Sequence, residues 1–171
     1  KDSDFLWILN NDTSIEKDSL IRQIEFYYKK SKTRKIGFMA PKTMNLSKRS
    51  VIQNAGGIFN RWTKFPEWIG AGEIEKGQLD HKEIQVDHIQ GASMFFHNSL
   101  LDQIGLMDES YFLYFEDTDW CIKALKNGFR NMVCTNSVIY HKQGTSTGVT
   151  YQDDSKNLQN KKYFYQNLLK F

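Results

Sequence analysis

Cysteine is scarce in this chain. Cys121 and Cys134 are the two present in 171 residues, and their separation fits no metal-ligand spacing. They read as two buried, reduced thiols of a cytosolic protein. No apolar run is long enough to cross a bilayer. No secretory signal is visible, so the triplets Asn11-Asp12-Thr13 and Asn45-Leu46-Ser47 carry no weight as glycosylation sites. Internal repeats and low-complexity tracts are lacking too. A large excess of either charge is also missing: the net charge of +3 implies no nucleic-acid partner and would not oppose contact with an anionic membrane surface. An initiating methionine is absent as well. Lys1 leads straight into Asp2 to Leu9, which reads as an internal strand, so the chain is expected to be a piece of a longer protein.

What is present is an ordinary globular composition with many aromatics, enough for one domain with a real core and too little for two. The Phe- and Tyr-rich content suits strands and a site that grips flat or ring-shaped ligands. Phe5 to Leu9 is a short continuous apolar run, expected to be a strand buried on both faces. A helix follows from Asp18 or Ser19, with Leu20, Ile24, Tyr27 and Tyr28 facing inward, and Lys29 to Lys35 is a mobile basic exit. Ile36 to Ala40 is a second buried strand, stopped by Pro41. Both strands are expected to be central, with sheet neighbours lying before Lys1.

Val51 to Lys82, rich in glycine, reads as short strands and long loops that carry Trp62 and Trp68, for packing or for stacking on a ligand. Ile84 to Ile89 alternates with period two, and Gly91 to Phe96 is expected to continue that strand after a bend. Asn98 or Ser99 caps a short helix that Gly105 closes. A helix starting at Glu116 and ending at Gly128 presents Cys121, Ala124 and Leu125 on one face. Arg130 to Tyr140 is a strand that ends at His141. Gln143 to Asp154 is a polar loop, and a last helix covers about 155–171. Strands alternating with helices give an α/β fold class.

Chemistry concentrates at the ends of these elements. Tyr114-Phe115-Glu116-Asp117-Thr118-Asp119-Trp120 packs three carboxylates into four positions where an aromatic run enters a helix. Such crowding costs stability unless a cation, a helix N-terminus or a catalytic task uses it. Asp12 and His141 each lie just past a strand, where ligands gather in open α/β sheets. A carboxylate plus an imidazole suits a divalent metal, with the nitrogen ligand shifting preference from Mg2+ toward Mn2+. Asp117 then serves as a proton acceptor, kept ionised by the helix N-terminus and opposed by its neighbour Glu116. Plainer readings stand beside these: Asp117 and Asp119 as helix caps, Asp12 as a turn residue, His141 as structural. His81, His88 and His97 show no acidic partner at a recognisable spacing.

The order of the motifs carries a resemblance. Asn-Asn-Asp-Thr after an apolar strand is followed by Gly-Ala-Ser-Met-Phe-Phe, by Leu-x-x-Ile-Gly-Leu-Met-Asp-Glu-Ser-Tyr-Phe, by Tyr-Phe-Glu-Asp-Thr-Asp-Trp and by Tyr-His-Lys-x-Gly-x-Ser. From about Asp4 to Ser146 this series resembles the C-terminal two thirds of a family 2 glycosyltransferase with the GT-A fold, in particular the bacterial rhamnosyltransferase-like branch. The resemblance implies a mixed sheet flanked by helices, as one partial domain over 1–171. It holds the catalytic and acceptor-side part, and the nucleotide-binding strands are expected before Lys1.

The resemblance also implies roles. Asn10, Asn11 and Asp12 fall on the donor-binding Asp-x-Asp motif, with Asn10 in place of its first aspartate, so Asp12 becomes the metal ligand and His141 completes the site. Asp117 falls on the catalytic base, while Gly91, Ala92, Ser93 and Glu116, with Trp68 from the glycine-rich loops, line the acceptor pocket. Gln166-Asn167 stands where the family often has Arg-Asn. The implied activity is inverting, Mn2+- or Mg2+-dependent transfer from a nucleotide-diphosphate sugar to a saccharide or lipid-linked acceptor, in the synthesis of cell-surface polysaccharide. The implied location is cytoplasmic, at the inner face of the membrane. The last helix, with Lys161 and Lys162 beside aromatic and aliphatic residues, either packs on its own domain or a partner chain or makes a peripheral membrane contact. Strand edges left open are expected to promote self-association. Two other functions stay open: a non-catalytic carbohydrate-binding or scaffold module, and a metal-dependent phosphohydrolase.

Overall fold

A computed structural model describes residues 3–60, 62, 65–142 and 154–171, with side chains described at neither 154–157 nor 159. The polar loop expected over 143–153 and the Gly-x-Ser end of the last motif lie outside the described residues. The chain order is β1 (Phe5–Leu9), β2 (Thr13–Ile15), α1 (Ser19–Ser31), β3 (Ile36–Asn45), β4 (Ile52–Asn54), β5 (Gly57–Phe59), β6 (Pro66–Trp68), β7 (Glu83–Val86), β8 (Ser93–His97), α2 (Ser99–Ile104), α3 (Glu116–Lys126), β9 (Arg130–His141) and α4 (Asp154–Lys170).

Seven of these strands form a mixed sheet in the order β1-β8-β3-β9-β2, with β4 added on β3 and β7 on β9; β5 and β6 pair separately. β3 and β9 run parallel, and β1 and β8 antiparallel. β3 is the spine. Nine of its ten residues are buried, as both faces of a central strand are covered. Successive side chains point to opposite faces, and the core divides accordingly. Phe38 and Ala40 join Phe96, Leu100, Trp120, Cys121 and Ala124 under α2 and α3. Met39 joins Phe95 and Met132, with Ile24, Phe26 and Tyr27 of α1 packed over them. The result is a mixed sheet with helices on both faces.

Several expectations are corrected here. β1 is an edge strand of the described sheet and alternates half-buried with exposed residues, leaving Leu6 and Ile8 in solvent. β3 has both neighbours, β8 and β9, within the chain. It also runs through Pro41. The ladder to β9 shifts register between Pro41 and Lys42, which is where a residue without an N–H costs least. β8 does not continue β7: it lies between β1 and β3, whereas β7 lies against β9. In α1 the buried positions are Ser19 and Gln23, and Leu20 and Tyr28 are exposed. The basic exit begins inside that helix, which extends to Ser31.

The glycine-rich region does form short strands and loops. It is tied to β3 by Lys42, whose buried ammonium lies 2.7 Å from Glu75 and 2.9 Å from Asp80. Among the described residues, no helix is long and apolar enough to cross a membrane.

Candidate functional site

The entry to α3 is built under strain. Tyr114 and Phe115 both adopt left-handed backbone conformations, at φ 69° and 71°. For bulky L-residues this costs about 1–3 kcal/mol each and persists where surroundings enforce it. α4 supplies the enforcement. Asn167, buried, donates from Nδ2 to the carbonyls of Leu113 (2.8 Å) and Tyr114 (3.0 Å). Phe164 packs on Tyr114 and Phe115, and Phe171 packs on Phe115 and Phe59. Of the Gln166-Asn167 pair, the exposed Gln166 leaves the structural work to Asn167.

This turn fixes the Asp117 carboxylate. Oδ2 accepts from the Gly91 N–H at 2.7 Å and lies 3.3 Å from His88 Nε2. Oδ1 accepts from the N–H of Thr118 at 2.7 Å and from its hydroxyl at 3.2 Å. Burial opposes ionisation of Asp117. The imidazole of His88 and the amides of Gly91 and Thr118 outweigh it and hold the carboxyl below the usual carboxylate range. Glu116 goes the other way: burial first, and then the Asp117 charge, push it up. Adjacent carboxyls are thereby separated into one ionised group and one that resists ionisation, as in sites that divide acid and base roles. Asp119 takes no part, since it pairs with Lys123 at 2.9 Å one turn along the helix.

Two predictions arise from these contacts. Glu116→Gln is expected to stabilise the protein where Glu116 ionises. A carboxyl raised in the folded state stabilises below its unfolded titration and loses that stability as pH rises through the folded one. The variant should therefore melt higher than wild type at neutral to alkaline pH and equally in acid, as thermal melts across pH would read. Gly91→Ala is expected to destabilise, because a Cβ at Gly91 would lie 3.2 Å from Asp117 Oδ2. Overpacking of about 1–3 kcal/mol corresponds to roughly 2–4 °C per kcal/mol in a domain of this size. An unchanged melting temperature would show that the carboxylate yields freely.

Asp117 borders a cavity of about 370 Å³ lined by Trp68, Phe65, His88, Gln90, Glu116 and Phe164 among others. That volume lies within the range of small-molecule sites, roughly 300–1,000 Å³. Trp68, Glu116 and Asp117 thus meet at one cavity. Gly91 touches it only through Asp117. Ala92 and Ser93 are buried beside it rather than lining it, and the Ser93 hydroxyl accepts from Trp7 Nε1 at 2.9 Å. Trp62 is exposed and apart.

The second pair forms at the other end of the same turn. Asn10 N–H donates to the Ala92 carbonyl at 3.1 Å, so residues 91–92 bind Asp117 on one side and the strand end of β1 on the other. Asn11 is exposed there. β2 then pairs with β9 so that Thr13 faces His141, and the Lys142 N–H donates to the Asp12 carbonyl at 3.1 Å. Strand register thereby places Asp12 Oδ1 3.2 Å from His141 Nε2, both side chains largely buried. The Gln53 amide touches His141 Nδ1, with Nε2 at 3.1 Å and Oε1 at 3.2 Å. An amide there fixes the ring and can select the tautomer that frees Nε2. The donor set, a carboxylate and an oriented imidazole, fits a divalent cation completed by ligands from outside the protein. Among the described residues there is no cluster of three or more His, Cys, Asp or Glu side chains able to hold a metal.

Sequence reasoning passed over His88, Gln53 and Asn167. His88 and Gln53 act across the fold with no local signal. Asn167 had one, its place in the Gln166-Asn167 motif.

With this geometry in view, the comparisons decide the family. The family model for glycosyltransferase-like family 2 matches residues 1–158. This chain belongs to that family. It is 31% identical over 64 residues to the low-salt glycan biosynthesis hexosyltransferase Agl10 of Haloferax volcanii, covering 37% of this chain and 21% of the relative. It is 30% identical over 87 residues to N-acetylglucosaminyl-diphospho-decaprenol L-rhamnosyltransferase of Mycobacterium tuberculosis, covering 51% and 27%. The matches thus span about a quarter of these relatives. A crystal structure of GalNAc-T7 with UDP, GalNAc and Mn2+ superposes with a TM-score of 0.61 at 13% identity, over 81% of this chain and 27% of that one. At that identity the likeness shows the fold, the GT-A arrangement.

Proposed function

We propose that this chain is the catalytic and acceptor-side part of an inverting sugar transferase acting in the assembly of cell-surface glycans. The observation that carries the reading is the anchoring of a carboxylate held below its usual pKa, Asp117, at the wall of an aromatic cavity. Asp117 takes the proton of an acceptor hydroxyl as that oxygen attacks the anomeric carbon. Trp68 and Phe65 offer flat apolar faces to a sugar ring. Glu116, lining the same cavity, binds acceptor hydroxyls. Asn10, Asn11 and Asp12 face the donor diphosphate, and Asp12 with His141 would hold Mn2+ or Mg2+. A divalent ion bound there supplies Lewis-acid stabilisation of the charge on the departing diphosphate. Gln53 keeps the His141 ring in place for it.

The acceptor is proposed to be a saccharide or a lipid-linked saccharide, in keeping with the N-acetylglucosaminyl-diphospho-decaprenol in the name of the mycobacterial relative. The test is release of nucleotide diphosphate by the full-length enzyme from a panel of nucleotide-diphosphate sugars. Release that depends on acceptor supports transfer, and release without acceptor would make this a hydrolase. No release at all, with sugar still bound, would leave a carbohydrate-binding module.

A peripheral membrane role has one specific observation behind it. α4 packs on its own domain through Phe164 and Asn167, as does Phe171 just beyond it, yet Leu158, Tyr165 and Leu169 lie exposed on one opposite stripe with Lys161 and Lys162 beside them. Such a face fits an anionic lipid surface at the cytoplasmic side. Vesicles containing anionic lipid are expected to retain the protein at low salt, and Leu169→Glu to weaken retention. Equal retention of both proteins would remove the membrane reading. The exposed β1 edge likewise supports self-association, with Ile8→Lys expected to lower the sedimentation coefficient if copies pair there.

A further inference from the structure

His88 is held by its backbone and between two aromatic rings. Its backbone exchanges two hydrogen bonds with Gly57, at 2.9 and 3.0 Å. The preceding carbonyl, of Asp87, accepts from the buried Asn131 amide at 3.2 Å. Phe59 stacks on the imidazole at a 7° interplanar angle, and Trp68 covers it at 5.0 Å. All of this aims Nε2 at Asp117 Oδ2. An ionised carboxylate requires the facing nitrogen to carry the hydrogen, and that is met by either the Nε2–H neutral imidazole or the imidazolium. The residue is 5% exposed, and its Nδ1 is buried without a hydrogen-bond partner. A purely structural histidine satisfies both nitrogens where it can; this one uses Nε2 alone, which lies 3.3 Å from the Asp117 carboxylate and 3.4 Å from the Thr118 hydroxyl that itself donates to that carboxylate.

We propose that His88 is a positioning residue for Asp117, fixing the rotation of the carboxylate that takes the acceptor's proton. The proposal rests on the transferase reading above. Of the groups that hold the carboxylate, the Gly91 and Thr118 amides belong to the backbone, and the Thr118 hydroxyl rides on the same helix turn. His88 is the side chain brought from elsewhere in the chain, and it borders the cavity that Asp117 borders. The titratable groups facing it are Asp117 and Glu116 from α3, with the Cys121 thiol behind. β5 and β6 present Phe59 and Trp68, and α4 presents Phe164, all uncharged. Proton uptake from the acceptor ends on Asp117; His88 keeps its own proton throughout, so the step needs no further donor or acceptor.

The experiment compares His88→Phe, His88→Gln and Asp117→Asn in the full-length enzyme, following kcat, donor KM and the pH dependence of kcat/KM. His88→Phe keeps a ring between Phe59 and Trp68 and drops the donor. It is expected to lower kcat about 10- to 100-fold, the range for a hydrogen bond to a charged group, with donor KM unchanged. A base works only when ionised, so activity falls as pH drops through its pKa. Loss of His88 raises that pKa, and the acid limb moves to higher pH. His88→Gln restores a donor without a charge, so it recovers most of kcat and leaves the limb between the two. A native kcat and acid limb in His88→Phe overturns the proposal, as does a glutamine variant no better than phenylalanine. If the phenylalanine variant does not fold, an unmoved acid limb in His88→Gln overturns it alone. Turnover retained in Asp117→Asn would instead overturn the base assignment; Asp117→Asn inactive with His88→Phe unchanged would overturn only the role of His88.

Discussion

Asp117→Asn is expected to cut turnover of the full-length enzyme by about 10²–10⁴-fold, the usual worth of a positioned base, while donor affinity stays nearly native. The asymmetry follows from geometry. Asp117 borders the aromatic cavity, whereas the proposed donor motif lies past β1, where the Asn10 N–H donates to the Ala92 carbonyl. An asparagine also disturbs the local network. In either orientation its nitrogen meets a backbone donor, the Gly91 N–H at the Oδ2 position or the Thr118 N–H at the Oδ1 position, so at least one buried donor loses its acceptor at a cost of about 1–3 kcal/mol. Assays must therefore run well below the melting temperature. Equal loss of donor affinity and rate would mean that Asp117 is a donor ligand or a cap. The wild-type protein should also show the other signature of a depressed carboxyl: stability present above the unfolded pKa and lost as pH falls through the folded one.

The second large effect concerns Asp12 and His141. Each alanine variant is expected to raise the Mn2+ concentration needed for half-maximal activity by about tenfold or more, in line with ligand and ligand-support losses elsewhere. The double variant should fall short of the product of the two, since groups acting through one ion are coupled. Binding of Mn2+ followed by electron paramagnetic resonance gives the same comparison without turnover. His141→Ala leaves Gln53 without the ring it steadies, and Gln53→Ala should lie between wild type and His141→Ala. Full activity in excess chelator would contradict the assignment of both residues.

Much of this was legible from local pattern. The entry into α3, the helix α2 closed by Gly105 at φ 73°, and the strand running to His141 are each written in short-range signals of period, cap and glycine. Asp12 and His141 were both visible as strand-end residues, and it took the β2–β9 register to bring them together. What local pattern does not encode is which strand lies beside which. Leu6 and Ile8 look like core in an unbroken apolar run, yet among the described residues β1 pairs with β8 alone and both side chains are exposed. The bend at 90–92 likewise hides a change of place in the sheet, because period two is the same whether β8 extends β7 or crosses to β3. His88 was overlooked for a related reason. Its carboxylate partner comes from a distant helix, and no sequence spacing connects them. Pro41 gave a stop signal that the register shift beside it cancelled.

The most direct test of a single displacement assisted by one base is the anomeric configuration of the product, read by proton nuclear magnetic resonance with the full-length enzyme, an active donor and its acceptor. The account predicts a new glycosidic bond of configuration opposite to that in the donor. A product that keeps the donor configuration would contradict it.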